Sequence, residues 1–116
     1  MKQLNFAKGK RGEQEAISYL KKQGYKILDT NFSCPLGEID IVAMHKGFLV
    51  IVEVKARSSV LFGRPSEAVD EFKQHKLIDL ALTYQVAKGL QDMPLRFDVV
   101  EILDGSINLI PNAFGW

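Results

Sequence analysis

The sequence predicts one α/β domain in which helices pack on a mixed β-sheet. Two β-rich runs flank a two-residue turn signal at Lys46-Gly47, and amphipathic helical patterns lie on either side of them. A hairpin that is apolar on one face, and half-apolar on the other, must lie centrally under covering helices. The length of 116 residues suits a single domain covering residues 1–116. The predicted element order is α-β-β-β-α-β-β.

The chain is predicted to open with a helix and a strand. Residues 10–23 show apolar side chains at helical spacing, and Gly24 provides a stop signal. These apolar residues are Ala16, Ile17 and Leu20. Residues 25–32 then predict a strand, and residues 33–37 (Ser-Cys-Pro-Leu-Gly) predict a turn-rich connector.

The central hairpin is predicted to join two strands across Lys46-Gly47, where glycine supplies a positive φ. With this turn Asp40 faces Glu53, and Glu38 faces Lys55. One face is wholly apolar and consists of Ile39, Ile41, Ala43, Val50, Val52 and Val54. The other face carries Val42, Met44, Leu49 and Ile51 near the turn, and the four charged residues at the open end. A one-residue slip would drive Asp40 into the apolar face, so the pattern favours this register.

The second half is predicted to contain an irregular loop, a helix and a second hairpin. The loop covers residues 56–65, and the helix covers residues 66–88 with Gly89 as its stop. The apolar stripe of this helix is Leu77, Leu80, Ala81 and Tyr84. Residues 95–103 and 107–110 predict two short strands around an Asp-Gly turn signal.

Composition excludes several classes of protein. The chain is 47% hydrophobic and 25% charged, which is ordinary for a globular protein. Its longest aliphatic or aromatic run, residues 48–52, is far shorter than the ~20 residues of a membrane helix, and no secretory signal is present, so no membrane partner is expected. The single cysteine, Cys34, fits a cytoplasmic location, and with His45 and His75 it cannot build a four-ligand structural zinc site.

Charge is distributed unevenly along the chain. Residues 1–26 hold seven basic and two acidic side chains, a net charge of +5, whereas residues 90–116 have a net charge of −3. A basic first segment, with Lys8, Lys10 and Arg11, is suited to a polyanion such as DNA. A solvated lysine-rich helix face accounts for the same charges equally well.

The acidic residues suggest a cation site. Two carboxylates directly opposite each other on paired strands repel at about 5 Å, and a cation between Asp40 and Glu53 would explain why both are kept. Glu13 shares the apolar helical stripe, where a carboxylate is costly to bury, and it would join them if the helix lies over the hairpin's open end. Mg²⁺ prefers such oxygen ligands, and Lys55 could orient water or stabilise charge on a phosphate. This set fits metal-assisted hydrolysis of a phosphodiester.

Each of these charged residues, taken alone, also has a structural explanation. Glu53 and Lys55 on one strand face are usually a solvated ion pair, and Glu13 could bond to a backbone amide or to Lys55. The joint pattern carries more weight than any single residue in it.

The runs Gly37-Glu38-Ile39-Asp40 and Val52-Glu53-Val54-Lys55 resemble the PD-(D/E)xK restriction-endonuclease-like superfamily. Ile39 stands where that superfamily usually has proline. With Gly12-Glu13-x-x-Ala16 and Pro111-Asn112-Ala113-Phe114, the chain is also similar to the YraN-like bacterial family, usually described as related to archaeal Holliday-junction resolvases. The resemblance implies a restriction-endonuclease-like core with an α-β-β-β-α-β unit.

By this resemblance Asp40 and Glu53 are metal ligands, Lys55 is the catalytic lysine and Glu13 is the helix-borne acidic residue, a further ligand. The implied cofactor is Mg²⁺, for which Mn²⁺ may substitute. Further candidate DNA contacts lie at the start of the second helix and around the loop after the lysine strand, although surface roles explain them too. They are Arg57, Arg64, Lys73, Gln74 and Lys76.

The first hypothesis for function is a Mg²⁺-dependent endonuclease acting on branched or structured DNA in repair or recombination. Symmetric cutting of a junction would favour a homodimer. The alternatives are a nucleic-acid-binding module that keeps the fold without turnover, and a small interaction protein whose acidic cluster is a structural cation site.

Overall fold

The computed structural model describes residues 2–57, 70–103 and 105–115, and within them every side chain except those of residues 2–11 and 57. Seven elements follow one another: α1 (Lys2–Lys22), β1 (Lys26–Cys34), β2 (Gly37–His45), β3 (Phe48–Arg57), α2 (Glu71–Lys88), β4 (Leu95–Leu103) and β5 (Ser106–Phe114). The predicted α/β class and the order α-β-β-β-α-β-β are confirmed.

The five strands form one mixed sheet in the order β1-β2-β3-β4-β5. Neighbouring strands are antiparallel except β3 and β4, which pair in parallel. A parallel pair requires a crossover connection, and α2 lies on that crossover. The mixed sheet expected from the sequence is therefore confirmed.

The two helices cover opposite faces of the sheet. On α1, Ala16 and Leu20 are fully buried against one face, whose residues are Tyr25, Ile41, Ala43, Val50, Val52, Val100 and Ile102. The stripe of α2 packs on the other face, whose residues are Ile39, Val42, Leu49, Ile51, Phe97 and Val99. Because successive strand residues point to opposite faces, β3 supplies Val50 and Val52 to one core and Leu49 and Ile51 to the other.

The central hairpin has the predicted turn. Lys46 and Gly47 both adopt positive φ, 51° and 85°, as a type I′ turn requires. The predicted register is confirmed from His45 opposite Phe48 up to Ile41 opposite Val52.

The prediction was wrong at the open end of this hairpin. The ladder ends at Ile41, so Asp40 and Glu53 are not paired residues of it. Ile39 packs against α2 and not with Ile41 on the face of α1. The cause lies in the side chain of Asp40, which accepts the N–H of Val54 where a backbone carbonyl would otherwise do so. Strand alternation is broken at this position.

Several element bounds differ from expectation. The helix α1 begins at Lys2, eight residues before the predicted start, and β1 continues to Cys34, so that a two-residue turn leads to Gly37. The strand β5 extends to Phe114, which pairs with Phe97 across a register shift. The predicted start of the second helix lies outside the described residues, and α2 begins after the N-cap Asp70. No helix in the described part of the chain is long and apolar enough to span a membrane.

Candidate functional site

A cavity lies beside the open end of the β2–β3 hairpin, under the first turns of α2. We call it the acidic cavity; its volume is about 350 Å³. Its lining residues are Glu38, Asp40, Glu53, Phe72, Lys73, Lys76, Leu77 and Leu80. The cavity therefore combines three carboxylates with two ammonium groups on an apolar floor.

Asp40 is held in the cavity by the backbone of the neighbouring strand. Its Oδ2 accepts a hydrogen bond of 2.9 Å from the N–H of Val54. Because this bond replaces a regular ladder contact, the carboxylate of Asp40 lies between the strands, next to the side chain of Glu53. A carboxylate fixed by a backbone donor keeps its position without support from a flexible side chain.

The carboxyl groups of Asp40 and Glu53 are close enough to shift each other's pKa. Burial, together with the hydrogen bond to Glu53 and its charge, raises the pKa of Asp40 to about 8. Glu53 is only 6% exposed, and burial raises its pKa. The hydrogen bonds from Asp40 and Lys73 outweigh that effect, so the pKa of Glu53 is lowered. The two carboxyl groups therefore titrate as a pair, in which the pKa is raised at Asp40 and lowered at Glu53.

Lys73 supplies the counter-ion of Glu53. Its Nζ lies 2.7 Å from Oε2 of Glu53. The first turn of α2 is fixed by Asp70, whose Oδ1 accepts the backbone N–H of Lys73 at 2.8 Å and whose carbonyl accepts the N–H of Gln74 at 2.9 Å. This N-cap places Lys73 above the carboxylate, in an ion pair that solvent reaches only from the side of the lysine.

Lys55 follows Glu53 by two residues on β3, and its side chain is partly buried on the same face of the sheet. Burial and contact with Lys73 lower the pKa of Lys55, and together they outweigh the opposing charges of Glu53 and Asp40. A lowered pKa increases the neutral fraction of Lys55, and the neutral amine is the form that could accept a proton from water.

Glu13 approaches from the other side of the sheet. The preceding residue, Gly12, is buried; a Cβ there would lie 3.4 Å from Cβ of Ala56 and 3.6 Å from Cδ1 of Ile102. Glycine therefore lets α1 lie close to β3 and β4. The charge of Glu13 contributes to the raised pKa of Asp40, so the two carboxylates are within electrostatic range.

The donor set fits a hard divalent cation held by a carboxylate pair. Across the residues that the structure describes, no three carboxylate, imidazole or thiol groups converge as a metal-binding group, so the role of Glu13 as a third ligand stays a prediction. Mg²⁺ commonly takes only one or two protein carboxylates and completes its shell with water and phosphate. The ammonium of Lys73 is the positive charge that such an ion would displace from Glu53.

The residues predicted to contact DNA differ in their exposure and in whether they line the acidic cavity. Lys76 lines the acidic cavity and is exposed, whereas Lys73 is paired with Glu53. Gln74 lies on α2, half-buried, and does not line the cavity. The others lie outside the described residues: the side chains of Lys8, Lys10, Arg11 and Arg57, and the whole of Arg64.

A second polar cluster, at the turn end of the hairpin, was missed by sequence reasoning. Asp98 is fully buried and accepts hydrogen bonds from Tyr25 Oη (2.5 Å), Arg96 Nε (2.9 Å) and the N–H of Asn112 (2.9 Å). Arg96 Nη2 also contacts His45 Nδ1 at 2.9 Å. The cluster joins β4 to β2, to β5 and to Tyr25 just before β1, far from the acidic cavity along β2. Its only sequence signal was an Arg-x-Asp spacing inside an apolar strand.

Comparisons with known proteins place the chain in a family. The model of "Uncharacterised protein family UPF0102" matches residues 12–102. A UPF0102 protein of Thermodesulfovibrio yellowstonii is 51% identical over 106 residues, covering 91% of this chain and 94% of the relative. Another, of Caldanaerobacter subterraneus, is 48% identical over 113 residues, covering 91% and 93%, and one of Persephonella marina is 41% identical over 111 residues, covering 96% of each. These names state no activity. The chain belongs to the uncharacterised protein family UPF0102.

Proposed function

We propose that this protein is a metal-dependent endonuclease that hydrolyses phosphodiester bonds of DNA. The observation that supports the proposal best is the contact between the carboxyl groups of Asp40 and Glu53, with Lys55 and Lys73 beside them, in an open cavity. In this cluster the pKa of the buried Asp40 carboxyl is raised and the pKa of the neighbouring Lys55 is lowered. Perturbed groups that converge in a cleft are typical of active sites.

In this proposal Asp40 and Glu53 hold Mg²⁺, for which Mn²⁺ can substitute, and Glu13 supports them. An ion held by these residues would supply Lewis-acid stabilisation of charge on the phosphate. Lys55 accepts a proton from the attacking water while the water oxygen bonds to phosphorus and the bond to the leaving oxygen breaks. The leaving oxygen takes a proton from solvent. The bond from Val54 keeps Asp40 in place throughout.

DNA as the substrate is supported by charge and by resemblance. Residues 1–26 carry a net charge of +5, and Lys76 stands exposed at the edge of the acidic cavity. The resemblance to resolvases favours branched or otherwise structured DNA, in repair or recombination. Two symmetric nicks at a junction would require two active sites, so a homodimer belongs to the proposal.

A second candidate function is a nucleic-acid-binding module without turnover. The ion pair between Lys73 and Glu53 favours it, because the chain already neutralises this carboxylate with its own lysine. In that case DNA would bind and no metal would be needed. A structural cation site in an interaction protein, the third alternative, would show metal binding without DNA binding.

The decisive experiment is cleavage of plasmid, flap and four-way-junction DNA by the purified protein with Mg²⁺ or Mn²⁺. Asp40→Ala is expected to abolish cleavage. Glu71→Gln is the matched control, because Glu71 is an exposed carboxylate on α2 that pairs only loosely with His75, at 3.8 Å. Undiminished cleavage by Asp40→Ala would assign the activity to another site or to a contaminant.

A further inference from the structure

Phe72, in the first turn of α2, is the most exposed of the large hydrophobic side chains that the structure describes. Its exposed fraction is 79%, compared with 67% for Val86, 50% for Leu36 and 47% for Leu82. Phe72 alone among these four lines the acidic cavity. Isolated exposed apolar residues are common, but an aromatic ring at the rim of a candidate active site is positioned to contact a ligand.

The ring is presented by an ordered helical turn. Asp70 caps α2 directly before it, and Phe72 precedes Lys76 by four residues, so both side chains lie on the same face of the helix and line the same cavity. The buried stripe of α2 starts only at Leu77. Phe72 therefore contributes little to the core, and the fold does not account for an aromatic residue here.

Two lysines line the acidic cavity together with the ring, and one of them, Lys73, is paired with Glu53. Lys73 keeps 38% of its side chain exposed, and Lys76 is exposed. The stem of Lys76 crosses β2 at Gly37, where a Cβ would lie only 2.9 Å from Cε of Lys76. Gly37 has a φ of +145°, so the backbone favours glycine there. The absence of a side chain at this position leaves room for the stem of Lys76.

An aromatic ring flanked by lysines matches the chemistry of single-stranded nucleic acid. Phosphates bind to the ammonium groups, and an unpaired base stacks on the ring whatever its identity. The exposed Lys76 and the ring together therefore fit an accessible base of the proposed DNA substrate and a phosphate next to it.

We propose that Phe72 is a stacking platform for an unpaired nucleobase of the substrate, with Lys76 holding an adjacent phosphate. This inference rests on the proposed function and narrows its substrate class to DNA with an unpaired nucleotide at the site, such as a flap, a branch point or a single strand. A continuous duplex offers no free base face to the ring and is the poorer ligand.

The test uses the full chain carrying Phe72→Trp, in EDTA so that no metal-dependent cleavage occurs. Val86→Trp is the matched control, since Val86 is exposed on the same helix and does not line the cavity. Single-stranded oligothymidylate is expected to quench the added tryptophan of Phe72→Trp and to leave that of Val86→Trp unchanged, with the wild type, whose only tryptophan is Trp116, as the baseline. Phe72→Ala is expected to weaken single-strand binding about 5- to 140-fold, the value of one base–aromatic stack, and to weaken duplex binding far less.

Equal quenching in both tryptophan variants, or DNA binding without quenching of Phe72→Trp, would overturn the stacking platform. So would self-association of the wild type that Phe72→Ala abolishes in sedimentation, because Phe72 would then be an interface between copies. Cleavage is scored separately. If DNA quenches the tryptophan of Phe72→Trp but the wild type never cuts DNA, the stacking platform stands and the nuclease proposal fails. If the wild type cuts DNA but no quenching occurs, the nuclease proposal stands and the stacking platform fails.

Discussion

The ammonium of Lys73 lies 2.7 Å from Oε2 of Glu53, in the place where a bound cation would meet this carboxylate. The contact joins the first turn of α2 to β3 and neutralises a side chain that is almost fully buried. It offsets part of the repulsion that two ionised carboxylates would otherwise produce. A cation bound at Glu53 would have to replace the ammonium of Lys73.

Replacing Lys73 should show whether it stabilises the metal-free protein and whether it competes with a cation for Glu53. In Lys73→Met the buried Glu53 loses its charged partner, so the metal-free protein should lose about 1–3 kcal/mol of unfolding free energy. Mn²⁺ should then stabilise the variant more than the wild type, because no ammonium has to be displaced. Urea unfolding in EDTA and in Mn²⁺ measures both quantities.

The control for this experiment is Lys88→Met, on the same helix. Lys88 pairs with Asp29 at 3.8 Å with both side chains partly exposed, so its loss should cost at most about 1 kcal/mol and leave the effect of Mn²⁺ unchanged. An equal gain from Mn²⁺ in wild type and Lys73→Met would show that the cation binds away from Glu53.

Glu53→Gln tests the ligand role directly. Wild type should gain RT ln(1 + [L]/Kd) from Mg²⁺ or Mn²⁺, about 2.7 kcal/mol at a hundredfold excess over Kd, and the variant should lose most of this gain. Repulsion between two facing anions, taken alone, would leave the metal-free variant as stable as wild type or slightly more stable. The ion pair with Lys73 reverses this expectation, and we expect a net loss. Thermal melts at fixed ionic strength, with and without Mn²⁺, provide the comparison.

Asp40 should make stability depend on pH. Its pKa is about 8 in the folded protein and near 3.8 when unfolded, so the folded state binds the extra proton between these values. Stability must therefore fall as pH rises from 5 to 8, by at most about 1.4 kcal/mol per pH unit, and level off above 8. Asp40→Asn should lack this dependence. Urea unfolding of both proteins in EDTA from pH 5 to 9 decides the matter; parallel curves would mean that Asp40 is ionised throughout.

The hairpin could be predicted from sequence because its two signals are local and independent. A Lys-Gly turn fixes the pairing, and alternation over two apolar strands fixes which face each residue takes. Together they placed Asp40, Glu53 and Lys55 on one face. The predicted face of Ile39 was wrong because the side chain of Asp40 takes the N–H of Val54 in place of a backbone carbonyl. A hydrophobicity pattern carries no information about such competition.

Contacts between distant elements were not predictable in this way. Lys73 lies twenty positions after Glu53 in the sequence, beyond the crossover from β3. Its position near Glu53 depends on how α2 is rotated on the sheet. Helical periodicity gave the buried stripe of α2 but not the partner of each residue on its flanks. Phe72 likewise carried no signal in the sequence, because its exposure at the cavity rim is a property of the packed helix.

The buried cluster around Asp98 should matter for stability and not for the candidate site. Asp98→Ala would leave Arg96 buried without its counter-ion, which should cost about 3–5 kcal/mol. Its Tyr25 partner would lose an acceptor as well. Chemical denaturation measures the loss. Because this cluster lies at the other end of the hairpin, the stabilisation by Mn²⁺ should equal that of wild type in whatever fraction remains folded; a reduced metal effect would show coupling between the two ends.

The role of Lys55 can be resolved by two substitutions that differ in charge. Its lowered pKa leads us to expect that it accepts a proton, a function that alanine and arginine both lack, since arginine does not deprotonate. Lys55→Ala and Lys55→Arg should each lower single-turnover cleavage about 10²- to 10⁴-fold, with DNA binding and the Mn²⁺-induced stabilisation retained. If Lys55→Arg keeps near wild-type cleavage, Lys55 acts through its positive charge on the phosphate. If both variants cut normally, water is activated elsewhere and Lys55 is a partner of Glu53 only.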